Sequence, residues 1–417
     1  MDQGLKALQE RGFLQQCTDI DAVTAMLAQE ATSFYVGFDP TGSSLHAGHM
    51  VPLYAMVHLA RAGHKPIALI GGGTARIGDP SGKTEMRQML TVEQIQANAA
   101  SIRTQIEAFL AGQGCEATIV DNSDWLANLN YIEFLRDIGR HFSVNRMLSF
   151  ETYKMRLETG LSFIEFNYQL LQSYDYLVLN RDHDCRLQVG GDDQWGNIVA
   201  GVDLIRRVSR KECYGLTFPL VTRADGKKMG KTEQGAVFLD PHMFSVYDFY
   251  QYWRNVPDPD VRKFLYLYTF LPIEEIEALS AHEGQELNAA KSRLAFELTR
   301  LVHGEDEATR AEQAAAAAFG AGGTGGGDRS GIPRTEIPLS ELEAGIPVLD
   351  LFQRSGLCAS RSDARRLVEQ GGARVNEQKI ESLDELIGAS RLERESTGEP
   401  ELLLRAGKKR YHRIIPV

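Results

Sequence analysis

The sequence predicts an α/β fold: a parallel-sheet domain with a helical insertion, then an α-helical domain, then a small C-terminal α+β domain. Three observations carry this. Residues 33–121 alternate short apolar runs with helical patterns, which is the rhythm of βαβ units. Residues 244–319 are helical in pattern, and a glycine-rich run at 320–327 sets the last segment apart.

Taken in order, "MDQGLKALQERGF" predicts an amphipathic polar helix, and "SFYVGF" (33–38) the first strand. A helix follows over 47–61, a strand at "PIALIG" (66–71), a long helix over 91–111 and a strand at "EATIVD" (116–121). Residues 125–180 read as a mostly helical insertion. The sheet resumes at "RLQVGGDDQWGN" (186–197), a strand turning into a helix. "GAGGTGGG" (320–327) has six glycines in eight residues, so it cannot hold a helix or bury a core. The expected divisions are therefore 1–240 for the sheet domain, 241–320 for the helical domain, 321–344 for a flexible linker and 345–417 for the last domain. In parallel sheets ligands sit beyond the carboxyl ends of the strands, so the loops after the strands are where chemistry is expected.

At 417 residues, 43 % hydrophobic and 24 % charged, the chain is long enough for two or three domains of an ordinary soluble protein. Its five cysteines form no CxxC pair and no zinc spacing, which argues for a reducing compartment, a cytoplasmic one. No signal peptide or membrane span is evident. The net charge of −11 discourages a nucleic-acid partner until its distribution is considered. From Gly345 onward 13 Lys and Arg face 11 Asp and Glu, whereas the first 344 residues carry a net −13. The tail is the basic part.

Three loops carry candidate chemistry. "GFDPTGSSLHAGH" (37–49) ends on His46 and His49, three apart at a helix start, where both project to one face and free N–H groups favour anions. Ala47 and Gly48 leave room for a planar ligand. A capped helix with hydrogen-bonded histidines is the plainer alternative, and a metal pair lacks a third ligand. "GGGTARIGDPSGKT" (71–84) misses the P-loop, because Ile77 stands where its first Gly belongs, and misses G-x-G-x-x-G, because Arg76 stands at the third. Asp79, Lys83 and Arg87 remain as polar groups in reach of a polyphosphate, or as a solvated loop. "ADGKKMGKT" (224–232) reads as a mobile cationic loop suited to closing over developing charge, or as an exposed turn.

In combination these loops carry a resemblance. "HAGH" is similar to the HIGH signature and "KMGKT" to the KMSKS signature of class I aminoacyl-tRNA synthetases. "FNYQLLQSYDYL" and "RLQVGGDDQWGN" between them resemble motifs of the bacterial tyrosyl type. The likeness runs from Phe34 to the C-terminus. Ala47 departs from the usual Ile or Leu, and Met229-Gly230 from Met-Ser, both within what that type shows. The resemblance implies a Rossmann-like catalytic domain that makes tyrosyl-adenylate from L-tyrosine and ATP, releases pyrophosphate, and transfers the tyrosyl group to tRNA(Tyr). Tyr35 and Asp175 would bind the phenolic hydroxyl of tyrosine and reject phenylalanine. Tyrosyl synthetase is itself the standard example of that logic. Tyr168, Gln172 and Asp79 would hold the α-ammonium group, with Gln188 and Gln194 nearby. The spacing agrees, since Tyr168, Gln172 and Asp175 stand at i, i+4 and i+7 on one helix face, which would otherwise be a core stripe with Leu171.

For ATP, the resemblance implies that Gly37, Gly48 and Gly191 allow backbone approach and that Asp193 takes the ribose hydroxyls. Asp39 lies on the same turn, and His46 and His49 meet the phosphates. The reaction needs no enzyme nucleophile, so catalysis falls to groups around one polyphosphate: Thr41, His46, His49, Lys83, Arg87, Lys228, Lys231 and Thr232. Mg2+ is expected with ATP, with no metal site of its own. A homodimer is expected through the insertion near 125–165.

The tail fits the RNA half of that reaction. In "ASRSDARRLVEQGGARVNEQKI" (359–380), Ser360 and Asp363 form a capping arrangement, Ala364, Leu367 and Val368 share one face, and Arg361, Arg365 and Arg366 are left outward. The segment resembles a small RNA-binding module first described in a ribosomal small-subunit protein. Arg374, Lys379, Lys408, Lys409 and Arg410 extend its basic surface. Two rival classes compete with the tyrosyl reading. A nucleotidyl transferase that adenylates a small acid would have no use for the tail, and a non-catalytic RNA-binding relative would not need both complete signatures. A tryptophanyl-type synthetase would not aim Tyr35 and Asp175 at a phenol.

Overall fold

The computed structural model describes residues 2–81, 89–222, 224, 229–232, 235–319, 329–394, 400–407 and 410–417, with backbone alone at 231, 232, 318 and 319. These residues cluster into two compact units, Met1–Leu239 with Lys263–Leu271, and Asp240–Arg262 with Pro272–Val417.

The first unit is built on a six-stranded sheet of β1 (Gln16–Cys17), β2 (Ser33–Phe38), β3 (Lys65–Ile70), β4 (Thr118–Asp121), β5 (Cys185–Gly191) and β6 (Tyr214–Phe218), in the order β1-β6-β5-β2-β3-β4. All pairs are parallel except the edge pair of β1 with β6. β3 is buried from Pro66 to Ile70, as expected of a parallel strand covered on both faces. From β2 the chain moves outward through β3 to β4, then returns to the other side of β2 for β5 and β6. The direction of winding therefore reverses between β2 and β5, and their carboxyl ends open a crevice there. Tyr35 pairs with Ile67 on one side and Gln188 on the other, so both neighbours of that crevice are in register with it.

The strand expected at 33–38 matches β2 residue for residue. The expected helix at 47–61 is a single tight turn, Ala47–His49, followed by an α-helix, Met50–Arg61, that tolerates Pro52 in its first turn. The long helix is Val92–Ala111, closed at its start by a reciprocal Thr91–Gln94 cap. The two-residue strand β1 is not visible as a sequence pattern, because it is too short to show a period.

Two boundaries differ from the sequence reading. Lys263–Leu271, expected in the helical domain, belongs to the first unit. The buried Arg11 guanidinium donates to the carbonyls of Tyr266, Thr269 and Leu271 at 3.3, 2.9 and 2.5 Å, and Tyr54 Oη donates to Tyr268 O at 2.6 Å. Carbonyls at a helix end need donors, and these are supplied by residues far away in sequence. The linker expected over 321–344 ends sooner: Arg334–Ile337 pairs in parallel with Arg413–Pro416, and Leu339–Ala344 is helical. The glycine run itself lies outside the described residues.

In the second unit the helices Val246–Arg254, Leu287–His303 and Glu305–Phe319 precede a sheet in which Ala373–Val375, Pro400–Ala406, Arg410–Pro416 and Arg334–Ile337 lie side by side. The helix Arg361–Glu369 starts at Ser360, whose hydroxyl accepts from Asp363 N at 3.2 Å. It buries Ala364 and Val368, with Leu367 half-buried, in a core with Leu351, Phe352, Val375 and Leu404. Among the described residues no helix is long and apolar enough to cross a membrane.

Candidate functional site

A cavity of about 440 Å3 opens at the β2/β5 crevice of the first unit. Tyr35, Gly37, Asp39, His46, Gly48, His49, Asp79, Tyr168, Gln172, Asp175, Gln188, Gly191, Asp193 and Gln194 all line it. Residues up to 159 positions apart thus share one volume because each follows, or lies across from, a strand end at the point of reversal.

At its inner end the helix Phe163–His183 presents Asp175, which is 2 % exposed. Asn122 Nδ2 donates to Asp175 Oδ2 at 2.9 Å, and Trp125 Nε1 donates to Oδ1 at 2.8 Å. Burial raises the Asp175 carboxyl to about 8; these two hydrogen bonds oppose the rise, and the Asp39 and Asp121 carboxylates add to it. Tyr35 is 1 % exposed and its hydroxyl has no hydrogen-bond partner among the described residues. Burial, reinforced by Asp175, pushes its pKa well above the ordinary value, so the hydroxyl stays protonated. A buried hydroxyl and a buried carboxyl on one cavity wall ask for a ligand group that both donates and accepts.

Further along, Tyr168 Oη donates to Asp39 Oδ2 at 3.0 Å. Gln194 Nε2 donates to Asp79 Oδ2 at 2.6 Å, and Asn197 Nδ2 donates to Gln172 Oε1 at 3.0 Å. Oxygen acceptors predominate here, which suits a cationic group. Among its described lining residues the cavity has four Asp and neither Lys nor Arg.

At the mouth, His46 Nδ1 accepts from Gly48 N at 3.0 Å and His49 Nδ1 accepts from His46 N at 3.1 Å. With Nδ1 an acceptor in both rings, each neutral imidazole carries its proton on Nε2. The rings overlap, with centroids 3.9 Å apart and planes at 31°. The backbone of the second signature lies against the first: Ala47 N donates to Val237 O at 2.8 Å, and Val237 N to Gly230 O at 2.8 Å. Gly230 has φ of +77°, and a Cβ there would come 2.9 Å from Gly48 N. A Cβ at Gly48 would in turn come 2.8 Å from His46 Cε1. Glycine at both places lets two loops meet with no side chain between them.

Not every expected residue is gathered here. Thr41 is exposed on the turn after β2 and is not part of the lining. Lys231 and Thr232 pair with Gly235–Ala236 through their backbones, and their side chains are not described. Lys83, Arg87, Lys228, Lys408 and Lys409 lie outside the described residues. In the C-terminal segment Arg361, Arg365, Arg366 and Lys379 are exposed. Arg374 and Arg410 are half-buried, their guanidinium groups donating to Glu377 O and Leu357 O at 2.8 Å each. The sequence reading passed over Thr74, Asn122, Trp125 and Asn197. Asn122 directly follows β4, so the rule that loops after parallel strands carry chemistry points to it.

A family model described as tRNA synthetases class I (W and Y) matches residues 27–320. A tyrosine–tRNA ligase of Treponema denticola is 58 % identical over 415 residues, covering 100 % of both chains, and one of Borreliella burgdorferi (strain B31) is 53 % identical with the same coverage. Among solved structures, a C-terminally truncated mitochondrial tyrosyl-tRNA synthetase of Aspergillus nidulans aligns with a TM-score of 0.68 at 30 % identity, over 75 % of this chain and 93 % of that one. A tyrosyl-tRNA synthetase of Archaeoglobus fulgidus aligns at 0.58 and 18 % identity, over 74 % and 99 %, a likeness of fold.

The raised Asp175 pKa sets a pH dependence. The folded state holds a proton that the unfolded state releases near pH 4, so the stability from the neutral carboxyl is complete below that pH and is lost as pH rises towards 8. Thermal melts from pH 5 to 8 will show wild type losing stability relative to Asp175→Asn, which has nothing to titrate there. Parallel curves would contradict the buried, proton-holding carboxyl.

Proposed function

This chain belongs to the class I tRNA synthetases, in their tyrosine branch, and from that membership we infer that it ligates L-tyrosine to tRNA with ATP as co-substrate. The observation that carries the choice of amino acid is the inner end of the cavity. The unpartnered Tyr35 hydroxyl and the Asp175 carboxyl held by Asn122 and Trp125 together fit a phenolic hydroxyl. Phenylalanine there would leave the buried Tyr35 hydroxyl unpaired and would offer Asp175 no polar group.

In the first step a tyrosine carboxylate oxygen attacks the α-phosphorus of ATP, the bond to the bridging oxygen breaks, and pyrophosphate leaves. In the second, a terminal ribose hydroxyl of the tRNA attacks the tyrosyl carbonyl and AMP leaves. Orientation and stabilisation of charge supply the rate. Tyr168, Gln172 and Asp79 hold the ammonium group, with Gln194, hydrogen-bonded to Asp79, and Gln188 nearby. Asp193 takes the ribose, Gly37 and Gly191 allow the nucleotide close to the strand ends, and Asp39 lines the same turn. His46 and His49 present Nε2–H donors to the phosphates. Thr41, Lys83, Arg87, Lys228, Lys231 and Thr232 are assigned to the leaving pyrophosphate on the sequence resemblance, and Mg2+ enters as part of the ATP substrate.

Arg361, Arg365 and Arg366, exposed on one helix, support tRNA binding by the C-terminal segment, with the exposed Lys379 and, on the sequence resemblance alone, Lys408 and Lys409 added to it, and Arg374 and Arg410 serving more as structure. Tyr131, Ile132, Phe163 and Ile164, between 41 and 71 % exposed, support a homodimer through the insertion. The five free cysteines support a reducing, cytoplasmic setting.

ATP–pyrophosphate exchange with each of the twenty amino acids will depend on tyrosine alone; equal exchange with phenylalanine or tryptophan would refute the pocket assignment. Replacing Arg361, Arg365 and Arg366 together by Gln will leave that exchange intact, weaken tRNA charging, and flatten its salt dependence by up to about three units of log–log slope. Unchanged charging would remove the RNA role of the helix. In sedimentation at micromolar concentration, wild type will run as a dimer and Phe163→Asp as a monomer; a monomeric wild type would reject the interface.

A further inference from the structure

One hydroxyl stands between two acidic side chains of the amino-acid cavity, Asp39 and Asp175. Thr74 is 2 % exposed and follows the glycines after β3. Its Oγ1 donates to Asp39 Oδ1 at 3.0 Å and accepts from Asn122 Nδ2 at 3.0 Å. The direction of each bond is fixed by its neighbours. Asn122 Oδ1 accepts from Gly73 N at 2.7 Å, so Nδ2 is the donor end of that amide and gives its two protons to Thr74 Oγ1 and Asp175 Oδ2. The Thr74 hydroxyl, having accepted from Asn122, has one proton and two acceptors in reach, Asp39 Oδ1 at 3.0 Å and Gly71 O at 3.3 Å, of which the carboxylate is the nearer and the stronger acceptor. Asp39 in turn accepts from Tyr168 through Oδ2. Gly71 permits this approach, because a Cβ there would lie 2.0 Å from Asp39 Oδ1 and 2.6 Å from Thr74 Oγ1.

We propose that Thr74 is a positioning residue for tyrosine recognition, joining the group that holds the phenol end (Asp175, through Asn122) to the group that holds the ammonium end (Tyr168, through Asp39). It lines the cavity between them and acts through its hydrogen bonds to Asn122 and Asp39. Its hydroxyl fixes the distance between the two ends, so that only an amino acid of tyrosine's length, carrying its hydroxyl, satisfies both at once. Hydrogen bonds in such a chain polarise one another, and loss of the middle member weakens both sides. This rests on the tyrosine reading of the cavity.

The test is exchange kinetics on three full-length proteins: wild type, Thr74→Val, which keeps the shape and removes the hydroxyl, and Thr74→Ser, which keeps the hydroxyl. With T74V the KM for tyrosine will rise about tenfold, and the preference for tyrosine over phenylalanine will fall by a similar factor, as expected for a lost hydrogen bond to a charged partner. Its kcat and its KM for ATP will stay within about twofold of wild type, and T74S will restore both altered quantities. Should T74V fail to fold, Thr74→Ala carries the same expectation. Unchanged tyrosine KM and preference in the hydroxyl-less variant would overturn the proposal, and so would equal losses in T74S and T74V. A wild type whose exchange does not depend on tyrosine would sink the underlying reading instead, which keeps the two failures apart.

Discussion

The parallel pairing of β2 with a strand on each side is the constraint on which the rest of the first unit depends. Because the chain winds away from β2 through β3 and later returns beside it as β5, no connection crosses between the carboxyl ends of β2 and β5. That gap is the cavity. The loop after β2 brings Asp39 and the two histidines, the loop after β3 brings Thr74 and Asp79, the loop after β4 brings Asn122 and Trp125, and the loop after β5 brings Asp193 and Gln194.

The cavity puts carboxylates out of water, and burial of a charge is tolerated only where partners offset it. Asp39 has Tyr168 and Thr74, Asp79 has Gln194 and the Ser81 N–H, and Asp175 has Asn122 and Trp125. The Asp175 carboxyl is raised because burial disfavours its charged form, and Asp39 and Asp121 add to that. A polar network satisfied in this way resists rearrangement, because moving any one member leaves a buried group without its partner.

The strands β2 to β4, the long helices and the face shared by Tyr168, Gln172 and Asp175 were legible because each repeats with the period of its element. The signature loops were legible because their residue types are unusual in combination. The network that holds the recognised residues was not. Thr74, Asn122, Trp125 and Asn197 are ordinary loop and helix residues until the sheet order puts them next to a carboxylate. The docking of Lys263–Leu271 was hidden for the same reason, since nothing local in that helical stretch announces that Arg11, more than 250 residues earlier, will donate to its carbonyls. Likewise, Arg334–Ile337 reads as linker because four residues paired on one edge only show no alternation of their own.

What the sequence determined by itself is therefore the chemistry: which elements form, where the paired histidines stand, and which polar residues share a helix face. These follow from local backbone preference and from side-chain period, both properties of neighbouring residues. What only the tertiary structure decided is the coupling: the reversal of winding at β2 and β5, the partners of each buried carboxyl, and the inward turn of Arg374 and Arg410. Those depend on contacts between residues distant along the chain, and the free energy of burying a polar group is set by whichever partner the fold delivers.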